Sequence, residues 1–117
     1  MSRIATVAAA QMGPIEKDEP RQSTVARMIS MMRQAKGRGA DLIVYPELAL
    51  TTFFPRYWME NEADVDAFFE KEMPSPATQP LFDEAAKLGV GFNLGYAELT
   101  EENGRIRHFN TAILVDR

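Results

Sequence analysis

The residue best suited to chemistry is Glu47. It directly follows a short apolar run at residues 42–45, and residues 48–50 are apolar as well. An apolar setting disfavours the charged form of a carboxyl group and moves it toward general-base action near neutral pH. In open α/β sheets, ligands bind beyond the carboxyl ends of the strands, where this residue is expected. The structural alternative is that Glu47 caps the next turn or pairs with Arg56.

Two aromatic residues and one amide are candidates for a substrate pocket beside this carboxyl group. Phe53 and Phe54 follow Glu47 closely, although an aromatic core under an irregular loop is the more common role of such a pair. Asn110, with Thr111, is a candidate for orienting strands near the site, and a purely structural role fits equally well.

The remaining polar residues indicate no metal or cofactor site. His108 is the only histidine, and we expect it at the surface beside a hairpin. A metal site needs carboxylates or imidazoles that converge in space. We expect the acidic run to form a solvated loop and helix start instead; its members are Glu60, Glu62, Asp64 and Asp66. The glycines at 89, 91 and 95 do not match a phosphate-cradling pattern.

The first elements that must position Glu47 form a predicted β-α-β unit over residues 4–46. Ile4–Ala10 is predicted as a buried strand. A helix is expected to begin near Asp18 and Pro20, because apolar residues then recur on one helical face, namely Val25, Met28, Ile29, Met32 and Ala35. The continuous apolar run at 41–46 predicts a central parallel strand that helices cover on both faces.

The second half of the chain is predicted to complete the sheet. Residues 51–62 are irregular and aromatic, 64–71 favour a short helix, and 77–88 favour a longer helix that stops at Gly89. A strand over 90–99 and a return strand over 105–116 flank an Asn103-Gly104 hairpin signal. A sheet that ends with this return strand leaves an edge unpaired unless something covers it.

Composition limits the classes of protein. The 117 residues suit one domain, and 13 basic against 17 acidic residues give a net charge of −4, which disfavours nucleic acid as a partner. The absence of cysteine excludes disulfides, thiolate metal sites and a thiol nucleophile within these residues. We find no apolar run of membrane-spanning length and no convincing signal peptide. We therefore expect a soluble cytoplasmic protein without a membrane partner.

Three segments resemble a known family. Tyr-Pro-Glu-Leu-Ala-Leu-Thr-Thr-Phe-Phe-Pro-Arg at residues 45–56 is similar to the glutamate motif of the nitrilase superfamily of carbon–nitrogen hydrolases. Phe-Asn-Leu-Gly-Tyr-Ala-Glu at 92–98 and Phe-Asn-Thr-Ala-Ile-Leu-Val-Asp at 109–116 resemble the next two strands of that family. The sequences of these segments are most similar to those of the N-carbamoyl-D-amino acid amidohydrolases, or D-carbamoylases.

The resemblance implies an α/β fold. Residues 1–117 would form a single domain that is the N-terminal part of a nitrilase-type α-β-β-α sandwich, with four to five strands and two main helices. It also implies a Glu-Lys-Cys triad that needs no cofactor, in which Glu47 is the general base. The family's lysine follows the strand ending at Asp116 and its cysteine lies further on, so this chain is expected to carry one group of the three.

The implied substrate is an N-carbamoyl-D-amino acid, which is converted to the D-amino acid, ammonia and carbon dioxide. The complete protein is expected to be a homo-oligomer, a dimer or a tetramer. A second hypothesis is a non-catalytic truncated relative that binds partners by strand addition at the open sheet edge after Val115. A third, a doubly wound ligand-binding domain, is disfavoured because Gln-Met-Gly-Pro at residues 11–14 replaces a glycine-rich phosphate loop.

Overall fold

The structure is a computed structural model that describes residues 2–117. Within that range it has the expected α/β architecture of four strands and two main helices, with one further short helix and a 3-10 turn at Phe54–Arg56. The elements follow one another as β1 (Val7–Ala9), α1 (Arg21–Gly37), β2 (Leu42–Val44), α2 (Glu62–Asp66), α3 (Gln79–Leu88), β3 (Gly91–Glu102) and β4 (Arg105–Val115).

The four strands form one sheet in the order β1-β2-β3-β4. The first three strands are parallel, with Ala8 opposite Ile43 and Ile43 opposite Phe92, so the predicted β-α-β unit is confirmed. Strands β3 and β4 form the predicted antiparallel hairpin. Its turn residues Asn103 and Gly104 both have positive φ, 52° and 76°, as the Asn-Gly signal requires.

The two main helices follow the predicted apolar periodicity. Helix α1 buries the expected face, but it begins at Arg21 after Pro20 and has no side-chain cap. Helix α3 ends at Gly89, whose φ of 63° is the left-handed conformation expected of a helix stop. The helix predicted over 64–71 is shorter than expected, since α2 ends at Asp66.

Helices α1 and α3 cover the same face of the sheet. Their apolar residues form one core with the alternate strand residues Ile43, Phe92 and Leu94, which are at most 1% exposed. On the opposite face, residues at the two sides of the sheet are exposed: Val7 on β1 and Leu114 on β4 are 56% and 70% exposed. Two expectations are therefore wrong: Ile4–Ala10 is not a buried strand, and β2 is covered on one face only.

A smaller cluster covers the far half of the opposite face. Leu48, Phe54 and Ala97 are buried there against the segment that contains Phe68 and Phe69. This segment is pinned to the edge of β3, because the backbone N–H of Glu70 donates to the carbonyl of Ala97 at 2.7 Å. The near half of this face, alongside β1 and β2, remains open. Among residues 2–117, no helix has both the length and the apolar character needed to cross a bilayer.

Candidate active site

Glu47 is the first residue of a turn over residues 47–50, which follows the end of β2 at Val44 after two residues. The backbone N–H of Ala49 donates to the carbonyl of Gly95 at 2.9 Å, which fastens the turn to β3. Leu48 has a φ of 48°, an uncommon conformation for a bulky residue. Such a residue costs on the order of 1–3 kcal/mol and persists only where its surroundings hold it. Here Leu48 is buried in the smaller cluster, which leaves Glu47 at the surface of the turn.

Gly95 allows the turn to approach the sheet this closely. A Cβ atom at Gly95 would lie 3.2 Å from the Cα of Glu47 and 3.4 Å from the backbone nitrogen of Leu48. Both are backbone atoms, so neither can move aside alone. This role of Gly95 was not predicted from the sequence. A glycine inside a strand is the available sequence signal, since it often marks a close backbone approach.

Among residues 2–117, the carboxylate of Glu47 has one hydrogen-bond partner. The side-chain amide of Asn110 donates from Nδ2 to Oε1 of Glu47 at 2.6 Å. Glu47 is exposed, so the apolar enclosure expected from its neighbours in sequence is not present. The apolar residues that follow it turn inward and leave the carboxylate outside. Arg56, the expected alternative partner, donates instead to the hydroxyl of Tyr57 at 2.9 Å.

Two cavities flank Glu47. One has a volume of about 190 Å³ and lies between the turn after β1 and the loop that carries Phe53 and Arg56. The other has a volume of about 300 Å³ and lies over β3 and β4, where Asn110 contributes to its wall. A larger cavity of about 910 Å³ lies between α2 and the hairpin, away from every predicted site residue. The candidate site is therefore identified by the position of its cavities beside Glu47 and not by their volume.

The structure brings together three of the four predicted site residues. Glu47 shares one cavity with Phe53 and the other with Asn110. Phe54 is separate, because it is only 6% exposed and stacks on Phe68 with ring centroids 5.1 Å apart. Phe53 thus lines a cavity beside Glu47, and its role in a substrate pocket stays a prediction, whereas Phe54 has the aromatic-core position that was the alternative.

The other singled-out polar groups have local partners. Nε2 of His108 lies 2.6 Å from Oδ1 of Asp66, and the His108 ring meets Phe69 edge to face. Thr111 does not reach Glu47; its hydroxyl donates to Oε1 of Glu98 at 2.9 Å. Within residues 2–117, no three histidine or acidic side chains converge in a way that could hold a metal ion.

This arrangement can accept a proton. One oxygen of Glu47 is held by an amide, and the other has no hydrogen-bond partner within the described residues 2–117 and lies beside two cavities. A positioned carboxylate with a free oxygen is able to act as a general base. The 117 residues contain no cysteine, so any thiol that this base serves must come from outside them.

A family model for carbon-nitrogen hydrolases matches residues 6–117, which is almost the whole chain. The chain belongs to the carbon–nitrogen hydrolase family. The match includes β2, the Glu47 turn and the hairpin that carries Asn110. The superfamily resemblance of the three sequence segments is therefore confirmed, while the role of Glu47 as a general base stays a prediction.

Solved structures show the same fold. The chain is similar to an N-terminal amidase, with 21% identity over 96% of this chain and 25% of that one, and a TM-score of 0.66. It is also similar to an amidase from Nesterenkonia sp., with 20% identity over 94% of this chain and 37% of that one, and a TM-score of 0.62. A glutamine-dependent NAD(+) synthetase from Cytophaga hutchinsonii matches with 19% identity over 94% of this chain and 17% of that one, and a TM-score of 0.61.

These likenesses establish the fold of the chain. The expected nitrilase-type fold is confirmed. The chain spans between 17% and 37% of the length of these three structures.

Proposed function

We propose that the protein, at the length at which its source produces it (the native-length protein), hydrolyses N-carbamoyl-D-amino acids. The observation that carries the proposal is the position of Glu47, exposed beside a cavity with Oε1 held by Asn110. Support for the substrate class comes from the sequence of the Glu47 motif and of the β3 motif, which resemble those of D-carbamoylases. Membership of the carbon–nitrogen hydrolase family supports the reaction type.

In the proposed reaction, Glu47 takes the proton of a cysteine thiol supplied from outside these residues. The thiolate attacks the carbamoyl carbon, and ammonia leaves as the nitrogen takes up a proton. Water then cleaves the thioester and restores the thiol. The carbamic acid that is released breaks down to carbon dioxide and the free D-amino acid. A lysine, also absent after β4 in this chain, completes the triad that the resemblance implies.

The solved structures favour a second candidate, hydrolysis of a primary carboxamide. Two of them are amidases, and a third is a glutamine-dependent synthetase. The same base and thiol would serve this reaction, because an amide and a carbamoyl group both lose ammonia when a thiolate attacks the carbonyl carbon. The two candidates differ in what the rest of the pocket recognises and in the product that water releases, a carbamic acid that loses carbon dioxide or a stable carboxylic acid.

The deciding experiment measures ammonia release by the native-length protein. It compares an N-carbamoyl-D-amino acid, its L-enantiomer and a primary carboxamide of the same side chain. We expect the D-carbamoyl substrate to give the highest kcat/KM. Preference for the L-enantiomer or for the carboxamide would contradict the proposed substrate. As a control, the 117-residue chain alone should release no ammonia, because it has no thiol.

We further propose that the native-length protein is a cytoplasmic homo-oligomer, a dimer or a tetramer, that uses neither a metal nor a redox cofactor. Amide hydrolysis through a thioester requires neither. Light scattering coupled to size-exclusion chromatography gives the oligomeric state, and a monomer would contradict that part of the proposal.

A further inference from the structure

We propose that Asn110 is a positioning residue for Glu47, and that it leaves Oε2 as the oxygen that takes the proton. This inference rests on the proposed role of Glu47 as general base. Asn110 was considered above as a pocket residue, but its contact is with the base itself. Its Nδ2 lies 2.6 Å from Oε1 of Glu47, across 63 residues of sequence.

The register of the hairpin places Asn110 where it can reach the base. Asn110 lies opposite Ala97, and Ala112 lies opposite Gly95. Because side chains alternate along a strand, Asn110 shares a face with Gly95 and Ala97. The turn that carries Glu47 rests on Gly95, with backbone atoms 3.2–3.4 Å from where a Cβ would stand. The carboxylate of Glu47 and the side-chain amide of Asn110 therefore meet above Gly95.

The chemistry of an amide suits this task. The side-chain N–H of Asn110 donates to a charged oxygen, and such hydrogen bonds are shorter and stronger than neutral ones. A carboxamide does not titrate in the range where proteins are folded, so Asn110 cannot compete with Glu47 for the proton. An oxygen that already accepts a hydrogen bond is a poorer proton acceptor than its free partner. The bond thus selects Oε2.

Exposure of the site explains why a positioning residue is needed. Glu47 and Asn110 are both exposed, so packing alone does not fix the rotamer of the carboxylate. The turn is rigid because Leu48 is buried and Ala49 is bonded to Gly95, but these contacts fix only the backbone. The hydrogen bond from Asn110 is the contact that fixes the side chain.

The test uses Asn110→Ala and Asn110→Asp in the native-length protein, with ammonia release as the readout. We expect Asn110→Ala to lower kcat about 10- to 100-fold and to leave KM near its original value, since misplacement of a catalytic group by ~1 Å costs as much as 100-fold. Asn110→Asp should be at least as damaging, because it places a second carboxylate against Glu47. A residue that only fills space would tolerate this isosteric change.

The matched control is Asn61→Ala. Asn61 is also exposed, its Nδ2 lies 3.5 Å from the Asp64 carboxylate, and it lines neither of the two cavities beside Glu47. This variant should keep full activity. The inference would be overturned if Asn110→Ala kept its kcat, or if it raised KM alone, which would indicate a substrate contact. Full activity of Asn110→Asp would also overturn it.

Failure of this inference can be told apart from failure of the proposed function. If Glu47→Gln keeps full activity in the same assay, Glu47 is not the base, whatever Asn110 does. If Glu47→Gln is inactive and Asn110→Ala is fully active, only the positioning role is lost.

Discussion

The two faces of the sheet are built in different ways. On the face under α1 and α3, alternate strand residues such as Ile43, Phe92 and Leu94 are at most 1% exposed, and apolar packing holds the layers together. On the opposite face, close backbone approach over Gly95 and a hydrogen bond between exposed side chains hold Glu47 in place. The first face therefore stabilises the fold by apolar packing, whereas the second face presents the candidate base Glu47.

The largest expected change in the free energy of unfolding tests the face of the sheet under α1 and α3. Phe92 is fully buried and meets Phe82 edge to face, with ring centroids 5.1 Å apart. Phe92→Ala should lower the free energy of unfolding by about 3–5 kcal/mol, because it leaves a cavity in the core. Urea unfolding measures this change. The matched change on the open face, Leu114→Ala at a residue that is 70% exposed, should cost no more than about 0.5 kcal/mol. Equal losses of unfolding free energy in Phe92→Ala and Leu114→Ala would contradict the claim that the face under α1 and α3 stabilises the fold.

A prediction of intermediate size tests the close approach of the Glu47 turn to Gly95 on the opposite face. Gly95→Ala places a Cβ 3.2 Å from the Cα of Glu47. We expect a loss of about 1–3 kcal/mol in the free energy of unfolding, as is typical of overpacking. Gly37 at the end of α1 has nothing within 4 Å of its added Cβ, so Gly37→Ala should cause no loss. The close approach would be disproved if urea unfolding gave the two alanine variants the same stability.

The smallest effect concerns the helices that cover the first face. Nε of Arg33 on α1 donates to Oε1 of Glu84 on α3 at 2.8 Å, and this hydrogen bond holds the pKa of the Glu84 carboxyl below its usual value. A carboxyl whose pKa is lowered by folding adds stability above its unfolded pKa and loses it as the pH falls through the folded pKa. Arg33→Gln should therefore be slightly less stable than the original protein near neutral pH.

The difference between Arg33→Gln and the original protein should vanish once acid protonates Glu84. Urea unfolding over a series of pH values checks this. Arg107→Gln is the control, because Arg107 pairs with Glu102 through side chains that are both more than half exposed. A stability difference for Arg33→Gln that grew with acid would contradict the assignment.

Sequence patterns predicted the covered face well, because periodicity reports directly on burial. The apolar face of α1 at Val25, Met28 and Met32 lies in the core as expected, and Gly89 ends α3. The same patterns could not show that both main helices lie on one side of the sheet. A continuous apolar run such as Leu42–Val44 favours cover on both faces, but it does not show which element supplies the cover of each face.

The candidate site was predictable only in part, for a physical reason. Glu47 could be placed at the end of β2, because an apolar run defines where that strand stops. Its bond to Asn110 depends on the register of a hairpin 63 residues away, and periodicity does not encode a contact at that distance. The exposure of Glu47 depends on Leu48 adopting a positive φ, which residue type alone would not predict for leucine.

The most direct test of the central claim, that Glu47 is the general base, is ammonia release from an N-carbamoyl-D-amino acid by the Glu47→Gln native-length protein. The change keeps the size of the side chain and removes its ability to take a proton. We expect kcat to fall at least about 100-fold, within the range that general-base catalysis contributes, while circular dichroism shows an unchanged fold. A folded Glu47→Gln protein with the original kcat would contradict the account.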